Sequence, residues 1–191
     1  MTQRHCSVPR NHHMTDRIDT RTNWLDPQQL NAVRDQVPLV YVDAVPVRID
    51  DQGNVTHVGM LLRQAPDGSI SRTVVSGRVL LNERIREALL RHLEKDLGPL
   101  ALPKIPPEPA PFTVVEYFPD PSISGFHDPR QHAVSLAFVV PVSGDCQPTQ
   151  AALDLAWYSP AEAVSESVRR EMTSGHDRLL RLALASVGVL P

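Results

Sequence analysis

Between Asn82 and Gly98, apolar side chains return every fourth position, at Ile85, Leu89, Leu93 and Leu97. That spacing lines one face of an α-helix. The helix is expected to be capped by Asn82 and stopped by Gly98-Pro99. Upstream the pattern changes. Pro38 to Ile49 (PLVYVDAVPVRI) is dense in β-branched residues, Asp50 to Asn54 supplies turn chemistry, and Val55 to Gln64 is apolar again. This predicts a hairpin, with Pro46, which has no amide donor, at a bulge or an edge. Pro66-Asp67-Gly68 marks another turn before a strand from Ile70 to Val75, which Ser76-Gly77 interrupts. Further strands are expected at Phe112 to Phe118, His132 to Val142 and Leu153 to Tyr158. Asp26-Pro27 opens a helix to Gln36 with Leu30 and Val33 on its apolar side, Ser159-Pro160-Ala161-Glu162 has capping-box spacing, and Gly175 to Ser186 carries a leucine stripe.

The proline-dense stretch Leu102 to Pro111 suits an extended surface connection. It does not suit a domain linker, because neither side holds enough elements for its own core and the strands must pair across it. With 191 residues, 41% of them hydrophobic, the chain is long enough to bury a core without disulfide or structural metal. Residues 1–21 read as a polar tail and 22–191 as one domain that includes the N-terminal helix. Cys6 and Cys146 are far apart, so no disulfide is expected and a reducing cytoplasm fits. The net charge of −3 and the lack of a lysine or arginine block argue against a nucleic-acid surface. No stretch reads as a signal peptide or a membrane span. His12-His13 in the tail reads as solvated, and neither Ser135 nor Cys146 sits in a nucleophile motif. Trp24, Tyr41, Phe138 and Trp157 are expected in the core or at an interface.

The chemistry concentrates on the long helix. From Gly77 the chain reads GRVLLNERIREALLRHLEKDLG. It resembles the Nudix box, in which a glycine, a glutamate, an arginine-glutamate pair, a glutamate pair and a glycine recur at fixed spacing. Gly77, Glu83, Arg91 and Gly98 stand at the matching positions. Two other segments resemble ADP-ribose-type members of that family, in the same order along the chain. One is His127-Asp128-Pro129-Arg130 leading into HAVSLAFVV. The other is LAWYSPAEA followed by GHDRLLRLAL. The likeness spans Leu39 to Leu184 and implies a Nudix-type α/β/α sandwich with a mixed central sheet, here with an N-terminal helical extension. It also implies the homodimers common among such relatives.

In active members, the glutamate after the arginine and the later glutamate pair hold magnesium or manganese on a diphosphate. Those three positions here hold His92, Lys95 and Asp96. Hard divalent cations require several oxygen ligands, so the exchange removes about three negative charges from the face that would bind them. Glu87 and Glu94 lie about half a turn away and should point elsewhere. The favoured expectation is a protein that binds a nucleotide-diphosphate-like ligand, or a protein partner, without standard hydrolysis. In that reading Lys95 stands as a fixed cation in place of a metal, with Arg91, Arg130 and His92 as further ligand contacts. His92 and Asp96, one turn apart, could also hold a transition metal such as zinc, a weak site without a third ligand from elsewhere. The alternative is a divergent pyrophosphohydrolase that uses Mg or Mn on a nucleoside diphosphate linked to another moiety. Asp96, Glu83 and Glu116 would then be its catalytic acids. Phe118 or Phe126 would stack on a nucleobase at the pocket mouth.

Overall fold

The strand that organises the molecule is β1 (Leu39–Ile49), because it is covered on both faces and paired along both edges. Its apolar run lacks clean alternation for that reason. One edge pairs in parallel with β6 (Ala133–Pro141), from Leu39 opposite Ala133 to Val47 opposite Pro141. The other edge is shared. Tyr41 to Ala44 pair antiparallel with β4 (Val75–Arg78), and Val47 onward pairs antiparallel with β2 (Val55–Gln64). Pro46 stands at the gap between those two partners. The Val47 carbonyl accepts from Val142 on the β6 side, so the alternation of the strand turns the Pro46 nitrogen to the other edge, where no ladder bond is required. Proline is therefore accommodated in a central strand, and the irregularity in the hairpin falls later, between Arg48 and Ile49.

The rest of the sheet grows outward from this strand. β2 also pairs antiparallel with β3 (Ile70–Thr73) and with β7 (Asp154–Tyr158), while β5 (Thr113–Tyr117) closes the far side against β6. The result is a mixed sheet of seven strands. The structure is a computed structural model and describes residues 24–64, 68–148 and 152–190. The tail with Cys6, His12 and His13, and the turn residues Pro66 and Asp67, lie outside the described residues.

Helices cover both faces. α2 (Ile85–Leu97) packs Ala88, Leu89, Leu93 and Leu97 on Val42, Ala44, Leu61, Val75, Phe138 and Val140. On the opposite face α5 (His176–Ser186) buries Leu179, Leu180, Ala183 and Leu184 against Val45, Val47, Val58, Met60 and Val115. The two turns α3 (Pro160–Ala163) and α4 (Glu166–Arg169) add Ala163 and Val168 to that second core. α1 (Pro27–Arg34) buries no residue and is held by polar contacts: Asp26 caps it, and Arg34 Nε donates to Gln131 Oε1 at 2.8 Å.

Several local expectations change. The box helix begins at Ile85, with Arg84 as N-cap and its amide donating to Glu87 at 2.9 Å. Asn82 instead takes a left-handed turn at φ 61°, a conformation asparagine tolerates better than most residues. Ser76-Gly77 does not end the sheet but lies inside β4. Phe138 is core, whereas Trp24 is 55% exposed. Trp157 is partly buried, with the Arg48 guanidinium 4.5 Å from its ring. Phe126, expected at a pocket mouth, is buried edge-on to Tyr117 with ring centroids 5.5 Å apart.

The α5 face also buries polar groups. Tyr117 Oη donates to Asp43 at 2.9 Å, and His176 lies edge-on to the Tyr117 ring. Burial holds the His176 imidazole below its usual value, outweighing the opposing pull of Asp43. His92, on the other face, is depressed in the same direction, again chiefly by burial. The unfolded chain protonates both near pH 6.5 while the folded one does not. Stability should then be full above that pH and fall as pH drops toward the depressed folded values, with a slope approaching about 1.4 kcal/mol per pH unit for each histidine. Urea unfolding between pH 5 and 7.5 measures this, and His176→Leu should flatten the slope. An unchanged slope in that variant would remove His176 from the explanation.

Candidate functional site

The loop before α2 and the helix itself are clamped by one ion pair. Arg91 donates through Nε to Glu83 Oε1 at 2.6 Å and through a terminal nitrogen to Glu83 Oε2 at 2.8 Å. The same guanidinium reaches the Arg78 carbonyl at 2.9 Å, and Glu83 also accepts the Leu80 amide at 2.8 Å. Burial works to raise the Glu83 carboxyl, but the Arg91 and Leu80 hydrogen bonds and the Arg91 charge outweigh it and hold it below the usual range. The Trp24 ring lies 5.6 Å from this guanidinium, within the range of a cation–π contact. Glu83 and Arg91 thus tie β4, the loop and the helix together.

His92 faces inward over β4. Its Nε2 lies 3.0 Å from the Arg78 carbonyl, and since a carbonyl only accepts, the proton of the neutral ring sits on Nε2. Nδ1 is buried without a hydrogen-bond partner. The ring lies so close to Gly77 that a β-carbon there would stand 1.9 Å from His92 Cε1. Gly77 is needed for this approach. Gly98, at the other end of the helix, has φ 88°, and a β-carbon on it would meet the Gln147 carbonyl at 2.7 Å, so both the turn and the close contact call for glycine.

Asp96 is fully buried. Its Oδ2 lies 2.5 Å from the Arg63 guanidinium on β2, and its Oδ1 lies 3.4 Å from Lys95 Nζ. Arg63 is a member of this site that the reading of the sequence missed, since it lies 33 residues upstream in an ordinary strand pattern. Glu87 and Glu94 are exposed, as their helical phase implied. Among the described residues, no three histidine, cysteine, aspartate or glutamate side chains come together as a metal would require. The Asp96 carboxylate faces Arg63 and Lys95, Glu83 is taken by Arg91, and His92 is turned to a carbonyl.

Glu116 and Arg130 lie elsewhere. Arg130 binds Asp128 in its own loop through two nitrogens, both at 2.9 Å. Asp128 also accepts Gln131 Nε2 at 2.9 Å, which donates at 2.7 Å to Tyr41 Oη. Through Gln131 and Arg34 this loop anchors α1. Glu116 is exposed on β5, with His132 Nε2 3.8 Å away. It belongs to an open shelf on the α2 side of the sheet. Val40, Val134 and Glu116 form one row across β1, β6 and β5, and Val42, Leu136 and Val114 form the next. Val40 and Val114 are about half exposed, while Phe118 stacks on His132 at 4.4 Å to end the shelf. Gly77, beneath His92, pairs with Val42, so the shelf runs up to the box helix.

The Gly77 contact gives a direct test. Gly77→Ala should destabilise by about 1–3 kcal/mol through overpacking, and the same change in a His92→Ala background should cost much less. Chemical denaturation of the four proteins in that cycle measures the coupling; additive effects would mean the two residues do not meet.

Residues 20–189 match the family described as domain of unknown function DUF4916. No curated protein matches the chain. Among solved structures, a possible asymmetric diadenosine tetraphosphate hydrolase from Jonesia denitrificans is 57% identical, with a TM-score of 0.79 over 82% of this chain and 98% of that one. The NUDIX domain of Shewanella oneidensis NrtR, in complex with ADP ribose, is 20% identical with a TM-score of 0.54 over 85% of this chain and 92% of its own. A NUDIX hydrolase from Nitrosomonas europaea is 15% identical with a TM-score of 0.56 over 76% of this chain and 88% of its own. These last two likenesses concern the fold. With the clamp of Glu83 and Arg91 and the α/β/α layers already described, the conclusion is that this chain belongs to the DUF4916 family and has the Nudix fold.

Proposed function

We propose that this chain binds a nucleotide-diphosphate-like ligand at the shelf beside the box helix and does not hydrolyse it by the metal-dependent route of the family. The observation that carries the proposal is the state of Asp96. It is the one carboxylate among the three metal positions of the box, and it is buried against Arg63 and Lys95. Arg63, Lys95 and Arg91 stand around the carboxylates of Asp96 and Glu83, with His92 held toward its neutral form. Cations placed this close to the box carboxylates disfavour a divalent cation there. The shelf supplies what a base would need: an apolar floor at Val40, Val134, Leu136 and Val114, and the Phe118–His132 stack at its end. ADP ribose, bound by the Shewanella oneidensis fold neighbour, and diadenosine tetraphosphate, in the name of the Jonesia denitrificans protein, both carry adenine and a phosphate chain.

The name of that 57% identical protein favours a second reading, a divergent hydrolase that uses Mg or Mn. Asp96, Glu83 and Glu116 would be its acids, yet Glu116 stands on the shelf, away from the ion pairs of the other two. One pair of assays separates the readings. ADP ribose and diadenosine tetraphosphate should raise the melting temperature in the absence of metal, and Phe118→Ala should weaken that binding by about tenfold, the loss of about 1–2 kcal/mol of stacking. Phosphate release with millimolar Mg or Mn should stay at the level of a no-enzyme control. Turnover that disappears in Asp96→Asn would establish the hydrolase instead.

A further inference from the structure

The proline-rich connection covers the end of β6 without filling the space against it. Its two ends are pinned to the strand: Lys104 N donates to the Pro141 carbonyl at 2.8 Å, and Phe112 N donates to the Ala137 carbonyl at 2.9 Å. Between those bonds, residues 105–111 (IPPEPAP) cross a stretch that β6 spans with Phe138, Val139 and Val140 alone. The longer segment bows outward. It leaves a cavity of about 130 Å³, walled by Leu89 and Phe138 from the α2 core and by Ile105, Pro106 and Pro109 from the connection. What β6 shows to this cavity is main chain. Ala137 and Pro141 turn their carbonyls to the connection, and strand alternation turns the N–H and C=O of Val139, midway between them, to the same edge. The Val139 side chain packs with the α5 core on the opposite face. Among the described residues, no backbone group of the connection bonds to the Val139 N–H or C=O. Pro106, Pro107, Pro109 and Pro111 have no N–H to offer that carbonyl.

We infer that this cavity is a binding site for a single six-membered heterocycle whose edge carries a donor beside an acceptor, as the lactam edge of a pyrimidine base does. Size sets the first limit: an apolar cavity of about 150 Å³ holds benzene, so this one admits one ring. The apolar walls suit the faces of that ring. Its edge is met by Val139, whose N–H donates to a ring carbonyl and whose C=O accepts from a ring N–H. An ordered water would find only those two partners, where about three are typical. An extended peptide has no room, because the Lys104 and Phe112 bonds close the strand edge at both ends. The prolines hold the outer wall in place before a ligand arrives, so little ordering is required on binding. None of these wall residues belongs to the shelf or to the Phe118–His132 stack, and the inference does not rest on the ligand proposed there.

Residue-resolved amide exchange by NMR tests this on the full chain. Without ligand, the Val139 amide should exchange about 100-fold faster than those of Phe138 and Val140, which face β1. Uracil at about 10 mM should shift the Val139 amide resonance and slow its exchange at least about tenfold. The same concentration of 1,3-dimethyluracil, which keeps the ring but has no N–H to donate, should do neither. Ala110 is exposed and lines the cavity, so Ala110→Phe should fill it from outside and weaken uracil binding by about tenfold or more, while the melting-temperature response to ADP ribose stays as in the wild type. A Val139 amide already as protected as its neighbours overturns the inference, as does one that ignores uracil, which leaves water as the only occupant. A uracil response that dimethyluracil reproduces, or that Ala110→Phe leaves intact, also overturns it. Loss of the ADP ribose response in the wild type bears on the shelf alone.

Discussion

A carboxylate buried at the negative end of a helix needs a cation, and Asp96 imposes that constraint on everything around it. The last turn of α2, the outer part of β2 and Lys95 converge on this one charge. In a fold whose hydrolases gather carboxylates around an ion, the local charge is ordinarily completed from solution. Here it is completed from within the chain. Because a guanidinium is planar and always charged, the pair is directional as well as neutralising. It ties the last turn of α2 to β2, while packing of Leu89, Leu93 and Leu97 holds the rest of the helix.

The box helix therefore separates two roles that its motif usually combines. The scaffold role belongs to Gly77, Glu83, Arg91 and Gly98, each engaged in a contact that holds the loop, helix or turn in place. The chemical role would belong to His92, Lys95 and Asp96, and those side chains also face the protein: a carbonyl, a carboxylate and an arginine. His92 illustrates the exchange. A buried carboxylate at its place would need a positive partner, whereas a neutral imidazole needs only an acceptor, which the Arg78 carbonyl provides. The price is the steric dependence on Gly77.

Much of the architecture was legible in the chain because it follows from periodicity. Leu89, Leu93 and Leu97 on one stripe, the two apolar runs about Asp50 to Asn54, and the capping spacing at Ser159 each depend on near neighbours in sequence, and each forms as read. What remained hidden depends on partners far apart. Arg63 looks like any charged residue near the end of a strand until the sheet brings it to Asp96. Pro46 reads as an edge residue until β4 and β2 are seen to meet there. Phe126 and Phe118 are alike in composition and context, yet one packs on Tyr117 and the other on His132, because a loop with two prolines and a glycine has no period to set its faces. Trp24 is not in the core for a related reason: the short helix after it has an apolar side but buries none of it.

The shelf and the charged face acquire meaning together. Across β1, β6 and β5, the rows nearest the proline-rich connection are closed, with Phe138 and Val140 in the core, while the rows nearest α1 are open at Val40 and Val114. An apolar floor left open would ordinarily be a liability, and its sharp boundary argues for an occupant with a flat apolar part. Beside it lies the box face with Arg63, Lys95 and Arg91. The proposed ligand, an adenine with a phosphate chain, would set its base on the floor and the stacked ring pair and its phosphates toward the box face. In the proposed reading, the ion pairs that engage Asp96 and Glu83 are also what would turn this face from a divalent cation toward an anion.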